Sequence, residues 1–206
     1  MHQGSLGKIV ILNGTPRSGK SSIATAIQTR FEGVWINLGG DRYQAMIPER
    51  FQPGIGLRPG GERHDLEPLI ATMFRALYDA IAAHSRVGLN VVSDLGHHDH
   101  YSRPLGILPR CARQLAEFPV LFVGVRCPIE VILERRLASW GKGRDPDGSI
   151  PSPVQLFQHE VHVPGIYDLE VDTSVLRPEQ CADLIRDVLD HPPRPSAFER
   201  LARGEF

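Results

Sequence analysis

Nine residues near the start of the chain, GTPRSGKSS from Gly14 to Ser22, carry the spacing G-x-x-x-x-G-K-[ST]. Gly14, Gly19, Lys20 and Ser21 hold its fixed positions. That pattern serves the binding of a polyphosphate. Glycines let successive backbone N–H groups turn inward around an anion, and a helix opening at the end of the loop adds its positive end. Gly14, Thr15, Pro16, Arg17, Ser18, Gly19, Lys20, Ser21 and Ser22 are therefore the expected cradle of a nucleoside triphosphate, with Lys20 on the β/γ-phosphates and Ser21 offering a hydroxyl to Mg²⁺.

Two acids stand where such a cradle would use them. Asp41 follows Gly39-Gly40 just past an apolar run, where small residues leave room for a ligand. Asp94 closes LNVVSD, in the manner of a carboxylate that holds Mg²⁺ at a strand end. Each also has a reading as a helix cap, Asp41 for a helix beginning near Arg42. His97-His98-Asp99-His100 invites a metal, but adjacent side chains diverge and no cysteine lies near, so substrate contact or plain loop exposure is the better expectation. Arg135, Arg136, Lys142 and Arg144 form a basic set that can meet phosphate oxygens or stand as a solvated face beyond a helix end.

The elements that must position these residues follow from periodicity. Lys8 to Asn13, Val34 to Leu38, Leu89 to Gly96, Pro119 to Val125 and Asp168 to Thr173 read as five strands. Ser21 to Phe31 is a helix, joining the loop to a strand on one side and a helix on the other. A second helix is capped by Asp65, with Leu66, Leu69, Ile70, Met73, Leu77 and Ile81 on one face. Further helices cover Tyr101 to Glu117, the stretch from Pro128 with Ile132, Leu133 and Trp140, and PEQCADLIRDVL. Pro48 to Arg63 reads as a long surface loop that either covers a substrate or is an insertion. Gly141 to Pro153 reads as a polar, hinge-like loop. Strand and helix alternate, which predicts a three-layer α/β sandwich about a mainly parallel sheet. The domain expectation is one unit over 1–190 with a lid-like segment near 141–153, followed by a tail over 191–206 in which Phe198 and Leu201 either dock or stay free.

Composition narrows the partners. The 206 residues have a formal net charge of -1 and no basic run, which argues against nucleic acid and an anionic membrane and for a small, discrete substrate. Cys111, Cys127 and Cys181 sit in apolar or helix-like stretches rather than at metal-ligand spacings and read as reduced thiols of a cytoplasmic protein. No apolar run approaches a membrane span or a secretion signal.

The ordered set LNGTPRSGKSS, INLGGDRYQAMIPE, VVSDLG, VLFVGVRCPIEVILERR and H-x-x-x-x-Y-D-x-E-V-D-T resembles the chloramphenicol phosphotransferase-like family of P-loop kinases, from Ile9 to Thr173. The resemblance implies a nucleoside-monophosphate-kinase-like fold with strand order 2-3-1-4-5. It implies ATP as phosphoryl donor and a hydroxyl of an antibiotic-like small molecule as acceptor. Asp41 matches the family's proposed base, and Arg135 and Arg144 resemble its lid arginines, so the expected catalytic set is Asp41, Lys20, Arg135 and Arg144, with Ser21 and Asp94 at Mg²⁺. His162, Tyr167, Asp168 and Asp172 match motif positions whose roles, chemical or packing, stay open. The chain departs from the family pattern between Gly54 and Gly61, at His97 to His100 and over Gly141 to Pro153, where substrate identity would be set. Kinases of a sugar, nucleoside or sugar nucleotide, a nucleic-acid end kinase and a non-catalytic nucleotide-binding module remain as alternatives, and assembly into a homo-oligomer is left open.

Overall fold

The computed structural model describes residues 5–52 and 63–205. Five strands, β1 (Ile9–Asn13), β2 (Trp35–Asn37), β3 (Asn90–Leu95), β4 (Val120–Arg126) and β5 (Leu169–Asp172), form one sheet in the order β2-β3-β1-β4-β5, and every pairing is parallel. The order is the one the family resemblance implies. Parallel strands need long crossovers, and helices supply them: α1 (Lys20–Arg30), α2 (Gly40–Gln44), α3 (Glu67–Arg86), α4 (Ile107–Gln114), α5 (Ile129–Trp140) and α6 (Ser152–Glu160); α7 (Pro178–Asp190) and α8 (Ala197–Arg203) follow the last strand.

Strand alternation explains the continuous apolar runs. Ile9, Ile11, Val91 and Phe122 face one layer, where α3, α4 and α8 pack. Val10, Leu12, Val92, Leu121 and Val123 face the other, where α1 and α7 pack. A sheet covered on both faces needs hydrophobic residues at every strand position. A third, smaller cluster of Cys127, Ile132, Leu133 and Val154 binds α5 to α6.

Several expectations change. For the C-terminal segment the docked alternative holds over residues 191–205: α8 buries Phe198 and Leu201 in the main core, opposite Tyr78 and Phe122. The helix α6 begins inside what reads as the end of a polar loop. Asp65 does not cap α3. Its carboxylate is taken by Arg63, and a turn of 3₁₀ helix from His64 to Leu66 precedes the helix. Most of the Pro48 to Arg63 loop, with its covering role, lies outside the described residues. All three cysteines are buried free thiols.

Candidate active site

The edge at the C-terminal ends of β1, β3 and β4 is where the chain crosses from one side of the sheet to the other, the position at which open α/β sheets hold ligands. There the loop from Gly14 runs into α1. Gly19 adopts φ 97°, which a side chain would oppose, and lets the helix start at Lys20. The Lys20 ammonium is half-buried and donates to the carbonyls of Gly14 and Thr15, 2.8 Å from each. Burial pushes its pKa down to about 8, against the pull of Asp94 and Asp41. Both carboxylates line the same cleft as Lys20 and act on its charge from beyond ion-pair distance.

Ser21 Oγ donates to Asp94 Oδ2 across 2.5 Å. Asp94 is thus a partner of the phosphate loop, not a helix cap. Gly39 makes this possible, because a Cβ there would stand 1.7 Å from Asp94 Oδ1. Asp41 lies in the first turn of α2, and no side chain caps that helix, so the capping reading of Asp41 fails. Gly14, Lys20, Ser21, Asp41 and Asp94 line one cleft of about 710 Å³. Ile70, Phe74, Tyr101 and Phe157 add apolar and aromatic lining to it, and Tyr101 and Phe157 pack on His98.

Arg135 reaches the loop from behind. Its Nη1 donates to Arg17 O at 3.3 Å and to Thr173 Oγ1 at 3.1 Å, and its Nη2 donates to Thr173 O at 2.7 Å. Thr173 in turn donates to Ser18 O at 2.6 Å. The guanidinium braces the backbone of the loop and lines the cleft. Arg144 is not brought to the others: it is exposed between α5 and α6, with Nη1 donating to Gly148 O at 3.1 Å.

The histidine run divides. His97 and His98 are buried, which corrects the expectation of plain loop exposure, while Asp99 and His100 are exposed. His97 Nε2 pairs with Tyr78 OH at 2.7 Å, and burial pushes its pKa down to about 3, so it is neutral. His98 stacks on Tyr101 and meets Phe157 edge-on. Among the described residues no three His, Cys, Asp or Glu side chains gather as a metal site. The oxygen pair of Ser21 Oγ and Asp94 Oδ2 offers hard donors of the type Mg²⁺ takes.

The family motif ending acquires physical roles. Tyr167 OH accepts from Asn13 Nδ2 at 2.9 Å and pairs with His162 Nδ1 at 2.8 Å. Asp168 accepts the N–H groups of Phe122 and Ala197, fastening β4 to α8, and Asp172 turns the chain by accepting from Ser174. Residues missed in the sequence matter as much. Asn13, just before the loop, also donates to Val161 O at 2.7 Å and accepts His97 N–H at 2.7 Å, so one amide gathers three segments behind the phosphate loop. Gln158 of α6 contacts Thr15 Oγ1 while donating to Cys127 O at 2.7 Å. The signal for α6 was Ser152-Pro153 followed by Val154, Phe157 and Val161 at helical spacing.

A parallel 2-3-1-4-5 sheet with a Walker-type loop and an opposed carboxylate defines a P-loop kinase, a phosphotransferase. The chain belongs to the chloramphenicol phosphotransferase-like family, whose profile matches residues 7–190. It is 24% identical over 219 residues to a Mycobacterium tuberculosis protein provisionally named an O-phosphotransferase, covering 96% of this chain and 88% of that one. The fold is shared with the M. tuberculosis APS kinase CysC, solved with AMPPNP and APS, at TM-score 0.64 and 19% identity, over 91% of this chain and 99% of that one. It is shared also with the Deinococcus radiodurans tunicamycin resistance protein, at TM-score 0.53 and 18% identity, over 88% and 94% of the two chains. No helix among the described residues is long and apolar enough to cross a membrane.

Proposed function

We propose that this phosphotransferase moves the γ-phosphate of ATP to a hydroxyl of a small, chloramphenicol-like antibiotic. The observation that carries the reading is the make-up of one cleft: Lys20, Ser21, Asp94 and the Asp41 carboxylate line it together with the aromatic side chains of Phe74, Tyr101 and Phe157. An aromatic lining favours an acceptor with a flat, uncharged ring, held by stacking and apolar burial. That is the specific reason for preferring such an antibiotic over a sugar.

Ser21 and Asp94 would hold Mg²⁺, which supplies charge neutralisation on the phosphates when bound. Lys20 would leave its two carbonyls for phosphate oxygens, and Arg135 keeps the loop in shape for them. Asp41, exposed at the start of α2, accepts the acceptor hydroxyl's hydrogen bond and then its proton, aligning the oxygen with the γ-phosphorus. A loose transition state needs alignment early and proton removal late, so a carboxylate placed beside the acceptor hydroxyl suffices. Arg144 would join the phosphates through closure of the 141–151 segment.

The test is acceptor-stimulated ATP consumption. Chloramphenicol, other hydroxylated aromatic antibiotics, sugars and nucleosides are added singly to the protein with ATP and Mg²⁺. ADP release accelerated by the aromatic alcohols supports the reading. Acceleration by sugars or nucleosides alone would transfer it to the alternative class, and none with any compound would leave a nucleotide-binding module.

A further inference from the structure

Arg17 stands in the phosphate loop with φ 71°, alone among the described non-glycine residues in the left-handed region. Side chains adopt that conformation only with strain, and such strain persists where something else requires it. Its guanidinium carbon lies 4.1 Å from the ring centroid of Trp140, at the C-terminal end of α5, and that of Arg136 lies 5.0 Å from the same ring. The indole thus draws two cations of like sign together. Among the described residues neither arginine makes an ion pair, and the Nε of each is buried without a hydrogen-bond partner. Asp145 attracts Arg136 from beyond ion-pair distance, while burial and the Arg17 charge both press the Arg136 pKa downward.

Indole faces attract guanidinium groups, but they do not neutralise two of them, and partly buried charges of one sign want an anion. The Arg17 carbonyl is gripped by Arg135, which holds the backbone of the loop at this residue while the side chain lies on Trp140. Arg17 and Trp140 line the same cleft as Lys20 and Ser21.

We propose that Arg17 and Arg136, held on the face of Trp140, form a two-arginine subsite for the outer phosphates of the bound nucleotide, and that Trp140 keeps both side chains in place until the nucleotide arrives. This rests on the nucleotide reading above. It adds side chains that the loop motif does not specify, and it assigns phosphate binding to the end of α5 next to the loop rather than to Arg144. A guanidinium meets two phosphate oxygens at once, which suits the crowded terminal phosphates better than the single ammonium of Lys20 can alone.

The test measures binding of ATP, ADP, AMP and tripolyphosphate to the full chain by calorimetry. Trp140 fluorescence, read in a Trp35→Phe background so that one indole remains, gives a local report. Variants are Arg17→Gly, which relieves the backbone strain, Arg17→Gln and Arg136→Gln. Each should weaken ATP and tripolyphosphate by about 10- to 100-fold, the loss expected for a charged hydrogen-bonding contact, while AMP binding stays nearly unchanged. ATP should alter Trp140 emission in the parent, and Arg17→Gly should lose that response while melting no lower. Wild-type affinity for ATP in variants that melt lower would show a purely structural clasp and overturn the proposal. A parent protein that binds ATP distinguishes that failure from failure of the nucleotide reading, since a parent that binds none of the four ligands overturns both.

Discussion

The Ser21 hydroxyl donates to the Asp94 carboxylate across 2.5 Å, joining the first turn of α1 to the end of β3. Two residues separated by 73 positions are thereby set as one oxygen cluster at the mouth of the cleft. The space for it is borrowed from Gly39 of the neighbouring strand end.

Gly39→Ala tests that cluster without touching its members. The backbone at Gly39 has φ -66°, so alanine meets no conformational objection, but its Cβ would overlap Asp94 Oδ1 and must displace it. The expected outcome is about a 10- to 100-fold higher Mg²⁺ requirement for transfer, as for loss of a group that orients a metal ligand. A Mg²⁺ titration of turnover, with circular dichroism as the check on folding, measures it.

Lys20→Met should raise the melting temperature at pH 7 while abolishing transfer. Burial lowers the Lys20 pKa from 10.5 to about 8, so the folded protein holds a charged group that the unfolded chain accommodates better. The sign follows from proton counts. Between about pH 8 and 10.5 the unfolded state binds more protons at this residue, so its contribution to stability rises with pH over that window. The stability advantage of Lys20→Met over wild type should therefore shrink from pH 8 to pH 10. Urea titrations of both proteins across that range give the comparison.

How much was legible can be argued from these same residues. Lys20, Ser21 and the strand–loop–helix around them were readable because a phosphate loop is local: nine neighbours suffice to define it. Asp94 and Asp41 were readable as acids at strand ends, but their sharing of one cleft depends on the 2-3-1-4-5 order, which spacing alone does not give. Asn13, Gln158 and the pairing of Arg17 with Trp140 depend on contacts between segments far apart in the chain. Arg135 was visible as a cation but not as a brace, because its partner Thr173 lies 38 residues on. His97 and His98 looked like loop residues since polar composition conceals burial when partners such as Tyr78 come from another helix.

Phe198→Ala should destabilise the protein by about 3–5 kcal/mol, the usual cost of removing a fully buried aromatic ring. Phe198 is 1% exposed, with its centroid 5.1 Å from that of Phe122 and 6.4 Å from that of Tyr78. Denaturant midpoints of the variant and of a chain ending at residue 190 should both fall well below wild type. An unshifted midpoint would return 191–206 to the status of a tail.

Arg144 reaches the cleft only if its segment moves. Amide exchange over 141–151 should slow when a non-hydrolysable ATP analogue is added, because closing over phosphates excludes water. Equal exchange with and without the analogue would leave Arg144 as surface charge.

The central claim is that Asp41 orients an acceptor hydroxyl toward the γ-phosphate of ATP held by the loop. The most direct measurement follows γ-labelled ATP into a phosphate monoester of the aromatic alcohol, with wild type and Asp41→Asn compared in single turnovers at saturating ATP. Asparagine keeps the shape but cannot take a proton. The account predicts monoester formation by the wild type and a loss of roughly 10²- to 10⁴-fold in the transfer rate of Asp41→Asn, with ATP affinity and melting temperature unchanged. Wild-type transfer rates in Asp41→Asn, or label recovered only as inorganic phosphate from both proteins, would contradict it.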